Sequence, residues 1–228
     1  MNENIDNRYA RLLGLSSFNE KKLQVLQSKR ILIIGVGGVG QSVATSLITN
    51  GIKHLTIVDF DVVELSNLNR QILLKEEDVG QEKIKVVLRE LLKKNSEADI
   101  TAFNMKVDDS NIDLLLKNID VVVDAVDNWS TKLVLGKACA EHKLPFLHIG
   151  VDGHKGQYCL FEKKSLLDVF DEKIKKEPRD GVMGPMVISI ASLAALHLLN
   201  YLIGDASPDI LYYFDSVSSK LGSMKIEG

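Results

Sequence analysis

Short apolar runs and mixed segments of helical spacing alternate along most of the chain. Residues 17–28 mix polar and apolar positions at helical spacing, and Arg30–Ile34 (RILII) is a branched run that stops at Gly35. Residues 39–50 predict a helix closed by Asn50-Gly51, a frequent stop because glycine accepts the left-handed backbone that ends a helix. His54–Asp59 (HLTIVD) predicts a second strand, 81–95 a charged amphipathic helix and 99–105 a third strand. Residues 111–117 read as a helix, 121–125 as an apolar strand, 131–142 as a helix, and 146–150 and 157–162 as strands. Strands alternating with helices predict an α/β, Rossmann-like fold: a mostly parallel sheet with helices on both faces. The pieces at 157–162 and 209–226 predict an antiparallel C-terminal extension. Between them, residues 163–182 are highly charged and close on Pro178 and Gly181, so they read as a mobile crossing segment within one domain.

Composition narrows this picture. The chain has 228 residues, 45% of them apolar and 26% charged, enough for a self-sufficient core. We expect a single domain over 1–228, with residues 30–150 as its nucleotide-binding part and 151–228 as crossing segment and extension. Lys plus Arg is 28 against 31 for Asp plus Glu, a net charge of −3. A basic excess is missing, so a DNA partner is not expected. The longest apolar stretch, 187–203, is interrupted by Ser189, Ser192, His197 and Asn200. A membrane span takes about 20 predominantly apolar residues, so a buried helix is expected and no membrane partner. The chain opens without a basic-then-apolar leader, which points to the cytoplasm. Two cysteines, Cys139 and Cys159, imply no disulfide framework, and both read as core.

Candidate chemistry starts at Gly35-Val-Gly37-Gly38-Val-Gly40, between a strand and a helix. Glycines there permit a tight turn and close approach of a ligand, and the helix N-terminus favours an anion. Asp59 ends the next strand 24 residues after Gly35, where a carboxylate can bind ribose hydroxyls. These features indicate a nucleotide without naming it, and a dehydrogenase would fit them equally well. The chain then supplies Arg70, Lys83 and, after the fourth strand, Asp127. Two cations and one carboxylate at the sheet's carboxyl edge suit a triphosphate with Mg²⁺, which takes one or two carboxylates plus phosphate oxygens. Taken singly, Lys83 also reads as a solvated charge and Asp127 as a helix N-cap. Of the five histidines, only His148 and His154 fall near the presumed site.

Together, RYARLLG (8–14), GVGGVG (35–40), DFD (59–61), SNLNRQ (66–71), GQEK (80–83), DAVDN (124–128) and GVMGP (181–185) resemble the ThiF/MoeB/HesA family. These are bacterial relatives of ubiquitin-activating enzymes, and the resemblance runs over roughly residues 8–226. It implies an adenylyltransferase that uses ATP and Mg²⁺ to activate the C-terminal carboxylate of a small ubiquitin-like sulfur-carrier protein, typically ending in Gly-Gly. By position, it implies that Gly38 lies against the nucleotide and Asp59 on the ribose. It likewise implies a phosphate-contacting turn of Ser66, Asn67, Leu68, Asn69 and Arg70, with Lys83 on the phosphates. Asp127 would hold Mg²⁺ with Asn128 beside the nucleotide, and Arg11 would reach across a homodimer to the partner's ATP. Two departures stand out. The paired Cys-x-x-Cys motifs that hold zinc in many members are missing, so no zinc site is expected, and residues 163–182 contain no cysteine to take the acyl group. Adenylation of a peptide or a tRNA base stays open, the latter through a basic patch of Lys173, Lys175 and Lys176. An NAD-binding dehydrogenase or a non-catalytic nucleotide-binding scaffold stays open as well.

Overall fold

Eight strands form one sheet in the order β3-β2-β1-β4-β5-β6-β7-β8 in the computed structural model, which describes residues 8–170 and 181–226. Strands β1 (Arg30–Ile34), β2 (His54–Asp59), β3 (Asp99–Asn104), β4 (Val121–Asp124) and β5 (Phe146–Asp152) run parallel. Strands β6 (Lys155–Phe161), β7 (Ile210–Asp215) and β8 (Lys220–Lys225) add the antiparallel extension. The direction reverses at a β5–β6 hairpin in which Asp152 pairs with Lys155 around Gly153, whose φ is +54°. β5 runs on past the predicted 146–150 and β6 starts before the predicted 157–162, ending at Phe161, because ladder pairing continues through polar residues that the apolar pattern does not mark.

β1 shows why its sequence is continuously apolar. Ile31 and Ile33 enter the core on one face, while Leu32 and Ile34 enter the core on the other. A parallel strand covered on both sides has no solvent face to give polar alternation. The first core is covered by helices α2 (Glu20–Ser28), α3 (Gly38–Thr49), α4 (Lys83–Lys94) and α7 (Gly184–Leu202). The second is covered by α5 (Ile112–Leu115) and α6 (Trp129–His142). A short α1 (Ala10–Leu13) precedes them. α7 is the predicted apolar helix, and it is long and apolar enough to cross a membrane. Here it buries Met186, Val187, Ile190, Ala191, Ala194, Ala195 and Leu198. Gly156 of β6 is required beneath it, since a Cβ there would lie 2.3 Å from Ile190.

Two expectations are corrected at helix ends. The helix expected over 111–117 is a single turn, because the Asn111 side chain is engaged with Lys106 O and Asp108 N and caps nothing. α6 begins at Trp129, earlier than the predicted 131, because Asn128 Oδ1 accepts the Thr131 N–H at 2.9 Å. The N-cap is therefore Asn128 and not Asp127. Of the crossing segment, a short turn over Leu166–Asp168 is anchored by Leu166 packed on Gly136 of α6. Lys173, Lys175, Lys176 and Pro178 lie outside the described residues.

Candidate functional site

The sheet order 3-2-1-4-5 splits between β1 and β4, and open α/β sheets bind ligands in the crevice outside the carboxyl ends at that point. The glycine loop leaves β1 there. Gly35 has φ +88° and lies on the backbone after β4, where a Cβ would sit 2.7 Å from Ala125 O. Gly40 lies under the Gly35 carbonyl, so these two glycines close the turn. Gly37 is different: its nearest neighbour is Gln71 Nε2, 3.9 Å from the position of a Cβ, and its surroundings are open. Gly38 is packed against Arg70 and against Val187 of α7. Close approach at Gly38 is thus to protein atoms, and the open side of the loop is at Gly37. α3 follows directly, with its first N–H groups and the positive end of its dipole at this crevice.

Asp59 is buried at the end of β2, with Oδ2 accepting the Val36 N–H at 2.7 Å and Oδ1 the Asp61 N–H at 2.9 Å. It braces the glycine loop. The 65–71 segment is locked by its own side chains. Asn67 Oδ1 accepts the Glu64 N–H, the Ser66 hydroxyl donates to Glu64, and Arg70 Nη1 donates to Ser66 O and Asn69 Oδ1, both at 2.9 Å. Arg70 Nε and Nη2 have no partner among the described residues. Asn69 also meets the start of α7: Gly184 presses on its carbonyl, so the Gly184-Pro185 pair seats the helix on this turn. Leu68 packs on the first core.

Lys83 opens α4, is buried, and gives its ammonium to Asp61 at 2.9 Å, while its N–H bonds Asp61 O. Asp61 is half exposed, so the pair opens toward solvent. Asp127 is exposed, and its carboxylate has no hydrogen bond or ion pair among the described residues. The Ala125 N–H donates to Ile34 O, which keeps the 125–128 loop beside the glycine loop. The structure thus links Gly35, Gly37, Gly38, Gly40, Asp59, Ser66, Asn67, Leu68, Asn69, Arg70, Asp127 and Asn128 around one crevice, with Lys83 joined through Asp61. Arg11 is not among them. It is exposed on α1, and neighbouring Arg8 donates to Lys94 O at the far end of α4 from Lys83. Twelve residues at 1.5 Å each put those ends about 18 Å apart, so Arg11 sits away from its own chain's crevice.

The structure adds Gln41, Asp124 and Lys132, whose roles no motif marks, and joins His148, already placed near the site, to the last two. Gln41, fully buried, donates to Val36 O and Gln71 Oε1 and accepts the Leu73 N–H, tying the glycine loop to the 70–73 segment. A glutamine immediately after a glycine-rich turn was the available signal. Asp124, Lys132 and His148 form a sealed polar cluster next to the same loop. His154, by contrast, is exposed, and among the described residues its ring meets Ser216. Cys139 and Cys159 are core, and burial pushes both thiols up to about 12, with Asp124 and Asp209 respectively adding to the effect.

Comparison with known proteins gives a consistent picture. A model described as the ThiF family matches residues 9–228. The molybdopterin-synthase adenylyltransferase of Escherichia coli (strain K12) is 30% identical over 228 residues, covering 96% of this chain and 92% of that protein. The sulfur carrier protein ThiS adenylyltransferase of Bacillus subtilis (strain 168) is 31% identical over 216 residues, covering 91% of this chain and 64% of that one. Among solved structures, E. coli MccB with ATP superposes with a TM-score of 0.84 at 24% identity, over 96% of this chain and 71% of that chain. That likeness establishes the fold.

Proposed function

The chain belongs to the ThiF family, and on that premise we propose that it activates the C-terminal carboxylate of a small ubiquitin-like sulfur-carrier protein as an acyl-adenylate. ATP is the co-substrate, pyrophosphate the leaving group, and the carrier ends in Gly-Gly. The enzyme works as a cytoplasmic homodimer. The observation that carries this reading is the unpaired Asp127 carboxylate on the same crevice as the open glycine loop and the half-engaged Arg70 guanidinium. A hydride-transfer site has no use for that set.

The chemistry asks for little beyond positioning. A carboxylate oxygen of the carrier attacks the α-phosphorus, the bond to the bridging oxygen breaks, and pyrophosphate departs. The attacking carboxylate is already ionised at neutral pH, so no general base is needed. Negative charge on the transferring and leaving groups must be stabilised by preorganised partners. Arg70 is held by its own turn with two nitrogens left for phosphate oxygens, and Asp61 holds the buried Lys83 ammonium. Asp127 would hold Mg²⁺: a lone exposed carboxylate beside a polyphosphate site matches this ion's preference for few protein ligands. When bound, Mg²⁺ neutralises charge on the phosphates.

ATP–pyrophosphate exchange with purified protein and a panel of Gly-Gly-ended carriers tests the reading. Exchange should appear only with a carrier present and vanish when its terminal carboxylate is amidated. Carrier-independent exchange, or none with any carrier, refutes it. The thiols supply a second check. Cys139→Ala with Cys159→Ala should retain acyl-adenylate formation, because neither buried thiol ionises near neutral pH to accept an acyl group. Two small core cavities should cost about 1–3 kcal/mol in unfolding free energy, read by denaturant titration. A folded double variant that releases no pyrophosphate would show a thiol in the reaction.

A further inference from the structure

Beside the loop that carries Asp127, three titratable side chains are sealed from water: Asp124, Lys132 and His148 are 0%, 3% and 2% exposed. Asp124 ends β4, His148 is its register partner in β5, and Lys132 lies in the first turn of α6. Lys132 Nζ donates to Asp124 Oδ1 and Oδ2 at 3.0 and 2.8 Å and to Ile149 O at 2.9 Å. His148 Nδ1 lies 2.8 Å from Asp124 Oδ2, and the Val126 N–H donates to Asp124 Oδ1 at 3.2 Å. Burial pulls the Asp124 carboxyl up, but Lys132 and His148 outweigh it and hold it below the ordinary carboxylate range.

A buried ion pair is a poor source of stability, since well-packed apolar residues of the same volume do as well or better. What this cluster does that apolar residues could not is orient a backbone. It joins three elements, β4, α6 and β5, and grips the Val126 N–H one residue before Asp127. We propose that Asp124 and Lys132 are positioning residues that fix the 125–128 loop so that the Asp127 carboxylate is preorganised for Mg²⁺. This rests on the adenylation reading above. Outer partners of this kind set the orientation of a metal ligand and influence metal affinity strongly.

The cluster brings its own reporter. Trp129, the only tryptophan in the chain, is two residues from Asp127 and packs edge-on to Phe170 at 5.7 Å, and Phe170 in turn packs on His148 at 5.2 Å. ATP binding to the full chain is therefore measured by calorimetry and by Trp129 fluorescence, with Mg²⁺ and with EDTA. The variants are Lys132→Met, Lys132→Arg and, as a remote ion-pair control, Lys22→Met, which removes the contact to Asp205. For Lys132→Met the Mg²⁺ concentration giving half of the metal-dependent tightening should rise about 10–100-fold, while ATP affinity in EDTA stays that of the wild type. Lys132→Arg should restore the wild-type dependence, and Lys22→Met should never lose it. Unaltered Mg²⁺ dependence in Lys132→Met, or equal weakening with and without Mg²⁺, overturns the proposal. If Lys132→Met does not fold, Asp124→Asn, which removes the charge that Lys132 grips, should shift the same dependence about 10-fold, no shift again overturning it. A wild-type protein that binds no ATP would overturn the functional reading and this proposal with it, a result distinct from the others.

Discussion

Asp127→Ala should lower carrier-dependent ATP–pyrophosphate exchange by roughly 10²-fold or more while leaving thermal unfolding unchanged. The two halves of that expectation come from one fact: Asp127 is exposed and bonded to nothing among the described residues. Substituting such a side chain costs a fold within about 0.5 kcal/mol. The α6 cap is Asn128 Oδ1 and survives the change. A carboxylate with no structural employment at the carboxyl edge of a parallel sheet is available for a cation, and, on the proposed reading, removing it would take away metal-assisted charge stabilisation on the phosphates. Exchange at near-normal rate would sink the assignment, and a large loss of stability would mean that Asp127 serves the fold instead.

The contrast between Asp127 and Asp124 shows how far a sequence reading reaches. β1, the glycine turn, Asp59 and α3 are legible because their determinants are local: a run of branched residues, glycines where no Cβ fits, and a carboxylate at a strand end. Asp124 reads as the tail of an apolar strand over 121–125. Its carboxylate is paired with Lys132, eight residues on in a helix, and meets His148, 24 residues on in another strand. Nothing in the spacing of those residues announces that the fold will bring them together. The β5–β6 hairpin is partly hidden for a related reason, since cross-strand pairing carries it through Asp152 and Lys155 without apolar markers. Arg11 stands at a motif position, whereas the placement of α1 against the end of α4 removes it from its own chain's crevice.

That placement makes the largest prediction one about two chains together. Lys83→Ala should lower exchange about 10²-fold or more if, as we propose, its ammonium stabilises developing phosphate charge. Its partner Asp61 is half exposed and returns to water, so the site loses its charge without stranding a buried carboxylate. Arg11→Ala should be as inactive if, as we propose, a homodimer places Arg11 on the partner's nucleotide. In a two-fold dimer holding one variant of each kind, one site then draws an intact Lys83 from one chain and an intact Arg11 from the other. The second site lacks both. Random assortment of equal amounts makes half of the dimers mixed and half of their sites complete, so co-refolded protein should recover about a quarter of wild-type exchange. Were both residues to serve one chain's own site, each site in a mixed dimer would lack one of them and activity would stay at the level of the single variants. The roughly 18 Å length of α4 between Lys83 and the segment that anchors α1 favours the first outcome. Mixed dimers verified by mass spectrometry that show no recovery would refute the crossing.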